Sequence, residues 1–230
     1  MKKEQRVLST PWGKIESSVE LFPIWYLFIV YGFIYILPYG RDIIGTSWFD
    51  WCRNEDGPLE WIQFICFSLA FLFSLISLIK RKPIIKYEWI GWISLTVILL
   101  FVAGEEISWG ERITGFGFDT IRAINIQGES NIHNIGFFHH KLLDPAFEIS
   151  CIFLGWLGWR KWPNLSFFPK KKYSLYFLFV ALFYLYFDIS YASTISQIRN
   201  DQEIFELLMA VGLMRHCHEQ AFKFKPRVIS

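Results

Sequence analysis

Trp89-Ile90-Gly91-Trp92-Ile93-Ser94-Leu95-Thr96-Val97-Ile98-Leu99-Leu100-Phe101-Val102-Ala103-Gly104-Glu105-Glu106 decides how the rest of the chain is read. From Trp89 to Gly104 it carries no charge, and the run from Trp89 to Val102 reads as one crossing of a membrane. It then meets two adjacent carboxylates. Ionisable side chains beside hydrocarbon are costly, so Glu105 and Glu106 mark a candidate functional site.

The same pattern recurs along the chain. The protein has 230 residues, of which 53% are hydrophobic and 20% aromatic. The mean hydropathy is +0.30. The apolar residues gather in blocks separated by short charged loops, as in polytopic membrane proteins. Six such blocks stand out, at about Leu21–Tyr39, Glu60–Lys80, Tyr87–Glu105, Ala146–Trp159, Tyr173–Ser193 and Ile204–His216. The fourth and sixth fall short of the roughly 20 residues that a perpendicular helix needs. The expected fold is therefore an all-α bundle of about six transmembrane helices, one domain over residues 1–230, with residues 107–143 as a long extracytoplasmic connection. A loop of that length is functional or partly structured.

Charge gives this scheme an orientation. With the N-terminus inside and six spans, 17 of the 23 basic residues fall on the inner side. That satisfies the positive-inside rule and places both termini in the cytoplasm. The acids sort the other way, with only 5 of 21 inside. Net charge is +2, which supports no nucleic-acid partner. The four cysteines, Cys52, Cys66, Cys151 and Cys217, form no close pair that suggests a metal knuckle or a disulfide framework.

Helix direction separates ordinary acids from unusual ones. At a helix N-terminus, acids cap and oppose the dipole favourably, which accounts for Asp56, Asp144 and Asp201. Glu60, Glu148 and Glu206 lie deeper, inside apolar runs. Glu105, Glu106 and Asp188 sit near C-terminal ends, where the dipole disfavours negative charge. They call for a cation, whether a metal, Arg112, Lys141 or a substrate. If the helix ran on, Glu105, Trp109 and Arg112 would share a face, and a simple Glu105–Arg112 pair would be the bland outcome.

A second polar element follows, Asn125-Ile126-Gln127-Gly128-Glu129-Ser130-Asn131-Ile132-His133-Asn134. His133 with carboxylates suits zinc, and carboxylates with amides suit magnesium. No HExxH spacing occurs, and Ser108 and Ser130 lack a GxSxG context. The candidate set has Glu106 and Glu105 as catalytic groups, and His133, Glu60, Glu106 and Glu206 as ligands to a divalent metal. Arg112, Glu129, Asn131, Asn134, Asp188 and Glu203 support them.

The segments Gly104-Glu105-Glu106-Ile107-Ser108-Trp109-Gly110-Glu111-Arg112 and Asn125–Asn134 resemble a family of uncharacterised bacterial multi-pass membrane proteins. In that family a GEEISWGQR-like motif precedes NxQGExNxHN, and an acidic pair opens the last span, as at Glu203 and Glu206. The resemblance implies a bacterial cytoplasmic membrane. A second likeness is to CAAX-protease and bacteriocin-processing membrane proteases, which carry EExxxR, FxxxH and HxxxN or HxxxD. Here Glu105-Glu106 and the His140–Asp144 spacing match. Gly110 stands where the arginine would be, Arg112 comes two residues late, and no FxxxH occurs.

Two functions follow as expectations. One is a metal-dependent membrane hydrolase of lipid or peptide, with Glu106 activating water. The other is a non-catalytic cation-binding or transport protein, or a structural subunit of a membrane complex. The lipid bilayer is a partner in both.

Overall fold

A computed structural model of the chain describes residues 7–10, 13–32, 51–52, 57–81, 86–125, 128–132, 135, 144–189 and 201–222. Helices dominate. The exception is a short antiparallel ribbon of β1 (Val7–Thr10) and β2 (Gly13–Glu16), with Val7 opposite Glu16 and Thr10 opposite Gly13. The principal helices are α1 (Phe22–Tyr31), α2 (Pro58–Lys80), α3 (Lys86–Glu106), α4 (Asp144–Ile152), α5 (Ser174–Ile189) and α6 (Gln202–Phe222).

Local sequence explains how α2 begins. Gly57 is extended, and Pro58 opens the helix where its fixed φ is suited and its missing N–H has no partner to lose. Its buried side chains are Glu60, Gln63, Cys66, Phe67, Ala70, Ser74 and Ser77. That spacing is one helical stripe, polar at its start and mostly small beyond Phe67. Small residues allow close approach, and α2 packs most extensively on α6. The opposite face of α2 exposes Ile62, Ile65, Leu72 and Ile79. Helix α3 repeats the arrangement. It buries Trp92, Thr96, Leu99, Ala103 and Glu105, and exposes Ile90, Val97, Ile98, Leu100 and Phe101.

Helix α6 is the interior element. Ile204, Leu208, Ala210, Leu213, His216 and Cys217 are all buried, so both its faces are covered. Phe205 stacks on Phe183 of α5 at 4.1 Å between ring centroids. Gly212 permits the close approach of α5. A Cβ there would lie 2.7 Å from Cβ of Tyr176.

Contacts fix the helix directions. Gln63 reaches Glu203, and Lys80 reaches the Ala221 carbonyl, so α2 and α6 run parallel. Helix α5 runs against α6, with Tyr173 bonded to Glu219 at one end and Tyr184 to Glu206 at the other. Helix α1 joins through Phe22 stacked on Tyr176, Tyr26 bonded to the Ile204 carbonyl and Tyr31 bonded to Asp201. The bundle therefore has an acidic end, with Glu60, Glu106, Asp201 and Glu203. At the opposite end lie Lys80, Arg81, Arg215 and Glu219.

The expected six-span bundle is corrected here. Among the described residues, only α2 and α3 are long and apolar enough to cross a membrane. Among the described residues, the other apolar blocks enter helices that are shorter or more polar. Helix α1 has 10 residues, and the first block continues past Gly32 outside the described residues. Helix α4 has nine residues before it widens into a π turn at Phe153–Leu157 and closes with Gly158–Lys161. Helix α5 is described for 16 residues, and the fifth block continues past Ile189 outside the described residues. Helix α6 has the length, but Glu203, Glu206, Arg215, His216 and Glu219 make it too polar. The cytoplasmic placement of both termini rested on sorting the charges over six spans and falls with that scheme.

Candidate functional site

The site is built where α3 stops. Helix α3 ends at Glu106, and the chain then turns through Ser108 at φ 47°, Trp109 at φ 55° and Gly110 at φ 92°. Left-handed backbone is strained for residues other than glycine, and two successive non-glycine residues there need strong local support. The support is visible. The Trp109 ring lies across Gly104, where a Cβ would come within 2.9 Å of ring carbon Cε3. Trp109 Nε1 donates to Glu105 Oε1. The Ser108 hydroxyl is buried and donates to Glu129 at 2.7 Å.

This turn replaces the helical continuation that would have put Glu105 beside Arg112. Arg112 instead folds back over the end of α3. Its Nη1 lies 2.6 Å from Glu60 Oε2 and donates to the Glu106 carbonyl at 3.0 Å. Its Nη2 lies 3.2 Å from Glu129 Oε2. Both partners in the Glu60 pair are about nine-tenths buried. One guanidinium thus ties together α2, the end of α3 and the polar loop.

That loop is a closed unit. Asn125 and Ile135 form an isolated antiparallel bridge. Asn125 Nδ2 donates to Oδ1 of Asn131 at 2.7 Å and to its carbonyl at 2.8 Å. Asn131 Nδ2 donates to Glu129 at 2.7 Å. Beside it, Arg122 pairs with Glu111, whose other oxygen accepts from the Ser130 amide at 2.7 Å. Hydrogen bonds from Arg122 and Ser130 hold the Glu111 carboxyl below its ordinary range.

The two adjacent glutamates have different surroundings. Glu105 is buried, and its carboxylate accepts from Trp109 Nε1 and from the Ile132 amide at 2.7 Å. Both oxygens are engaged in holding α3 to the loop. Glu106 is partly exposed. Among the described residues its carboxylate takes no hydrogen bond or ion pair. It lies within electrostatic reach of Glu206, Glu203 and Glu60, with Arg112 as the balancing charge.

The other expected residues sort as follows. Glu60 is held by Arg112, Glu203 accepts from Gln63 Nε2 at 2.8 Å, and Glu206 accepts from the Tyr184 hydroxyl. His133 and Asn134 lie outside the described residues, as does the Asp188 side chain on the last turn of α5. Among the described residues, no three His, Cys, Asp or Glu side chains group closely enough to hold a metal ion. Gln63 and Tyr184 complete the site and were not singled out from the sequence. Gln63 was findable, since it lies three residues after Glu60 on the same helix face. The Tyr184 phenol sits in an aromatic run and left no such signal. Gln63 is fully buried, and its Oε1 accepts no hydrogen bond among the described residues.

Compared with protein-family models, curated proteins and solved structures, the chain matches none.

Proposed function

We propose that the chain is an integral membrane protein, anchored by α2 and α3, whose acidic end binds a positively charged ligand. The membrane reading is supported by what these helices bury. A soluble core helix is mostly covered, whereas only 33% of the α2 window and 22% of the α3 window are buried. Ile62, Ile65, Leu72 and Ile79 of α2 and Ile90, Val97, Ile98, Leu100 and Phe101 of α3 face outward, while Glu60, Gln63, Ser74, Ser77, Thr96 and Glu105 are buried. The resemblance of the Gly104–Arg112 and Asn125–Asn134 segments to bacterial membrane proteins supports the same setting and suggests a cytoplasmic membrane.

The ligand reading is carried by Glu106. The residue is partly exposed, its carboxylate takes no hydrogen bond among the described residues, and three further carboxylates act on it. Gln63 Oε1, a buried acceptor with no donor among the described residues, lies next to Glu203. Spare acceptors and concentrated negative potential favour a cation. The spacing of the described acids suits a hydrated cation or an organic ammonium group better than a directly chelated metal.

The test is equilibrium binding to the purified protein in neutral detergent, with Mn2+ and with spermidine as probes. Saturable binding of either, lost in Glu106→Gln and retained in Asp119→Asn, is expected. Absence of saturable binding, or equal binding by Glu106→Gln, would reject the reading. Turnover of a lipid or peptide that vanishes in Glu106→Gln would move the protein to the hydrolase class.

A further inference from the structure

The end of the bundle opposite the acids carries a second assembly. Arg160 and Lys161 close the short helix Gly158–Lys161, and Lys170 and Lys171 lie just before α5. All four are exposed. They are interleaved with indoles. Arg160 lies over Trp156 at 5.6 Å, and Lys171 over Trp159 at 6.0 Å. Trp162 stacks between Phe153 and Phe168, at 6.1 and 5.7 Å between ring centroids. Trp156 and Trp162 remain 45% and 44% exposed, so each offers apolar surface.

Among the described residues, the nearest acids offset only Lys170 of these four cations. Glu219 is occupied by Lys172 at 2.7 Å and Lys170 at 3.4 Å, and also accepts from Tyr173. Glu88 is paired with Arg81 at 2.8 Å. Arg160, Lys161 and Lys171 form no ion pair among the described residues. The same end also exposes Lys80, Lys86, Tyr87 and Trp89, at the junction of α2 and α3.

We infer that this basic, tryptophan-lined collar binds the headgroups of anionic phospholipid. Amphipathic indoles settle at the level of lipid headgroups, and exposed Lys and Arg beside them attract anionic lipid. Cation–π pairing holds Arg160 and Lys171 against rings that the bilayer interface also favours. The inference rests on the membrane reading above, and it adds which end meets anionic lipid and through which side chains.

The test is flotation of the full chain with phosphatidylcholine vesicles and with mixed phosphatidylcholine–phosphatidylglycerol vesicles. It is followed by the relative association of spin-labelled phosphatidylglycerol over phosphatidylcholine with the reconstituted protein. Flotation with both vesicles is expected, with a several-fold preference for phosphatidylglycerol that fades as salt is raised. The quadruple variant Arg160→Gln, Lys161→Gln, Lys170→Gln and Lys171→Gln should bring that preference close to parity, and each single variant should remove part of it. Lys170→Arg and Lys171→Arg should keep it, which separates charge from misfolding. Equal association of the two lipids, or a preference unchanged in the quadruple Gln variant, would overturn the inference and leave the membrane reading standing. Flotation with the anionic vesicles alone, reversed by salt, would support the collar and reject the embedded helices. Flotation with neither would reject both.

Discussion

Arg112 and Glu60 form a buried ion pair 2.6 Å long that joins the loop after α3 to the first turn of α2. Glu60 lies on a helix start, Arg112 in the short helix Glu111–Thr114. Without the left-handed turn at Ser108–Gly110, the two could not meet.

Removing one partner of such a pair strands the other charge. Arg112→Met should destabilise the folded protein by about 3–5 kcal/mol. Arg112→Lys should recover part of this, because one ammonium cannot serve Glu60, Glu129 and the Glu106 carbonyl together. Chemical denaturation in detergent measures both. A loss under about 1 kcal/mol for Arg112→Met would contradict the pair's role.

Glu105 is predicted to act as a clamp. Glu105→Ala should speed hydrogen exchange at the Ile132 amide, which has its acceptor in that carboxylate. Trp109→Phe removes the indole donor and should cost about 1.5–3 kcal/mol, the range for hydrogen bonds to a charged group. Cation binding at Glu106 should survive Trp109→Phe with altered affinity. Unchanged Ile132 exchange in Glu105→Ala would remove the clamp.

Acid should weaken the opposite end. Burial pushes the Glu219 carboxyl up, but hydrogen bonds from Lys172 and Tyr173, with the charges of Lys172 and Lys170, bring it down to about 2. A carboxyl depressed in the folded state stabilises it above the ordinary value of 4.5, and that contribution fades as pH falls towards 2. Lys172→Ala should therefore flatten the stability profile between pH 4.5 and 2. Parallel profiles for the variant and the parent would contradict the assignment.

Two glycines should respond in opposite directions. Gly212→Ala forces a Cβ to within 2.7 Å of Tyr176 and should destabilise by about 1–3 kcal/mol. Gly32→Ala has open space and helical φ, and should be neutral or stabilise by up to about 1 kcal/mol. Thermal melts of both variants check the contrast.

Much of this was legible in the sequence. The apolar run ending at Glu105-Glu106 marked both a long helix and a charged site. The separation of acids from bases along the chain anticipated two chemically different ends. What misled was counting apolar blocks as crossings. Helix α6 shows why, because most of its apolar residues are buried against protein while its acids and histidines keep it too polar for lipid. The different fates of Glu105 and Glu106 were also hidden. Glu105 is held by the backbone N–H of Ile132, and a backbone donor leaves no trace in residue identity. Ser108 and Trp109 carry no mark of left-handed backbone, and only Gly110 hints at the turn.

Helix α6 has one more implication, for how the chain is made. Helices α1, α2 and α5 all lean on it, yet each leaves the ribosome earlier. Until Gln202–Phe222 emerges, the hydrogen bonds of Tyr26 to Ile204, Gln63 to Glu203 and Tyr184 to Glu206 are unmade, and the small-residue groove of α2 stands open. The nascent chain must therefore wait, half assembled, for its keystone, and quality control has its best chance to act in that interval.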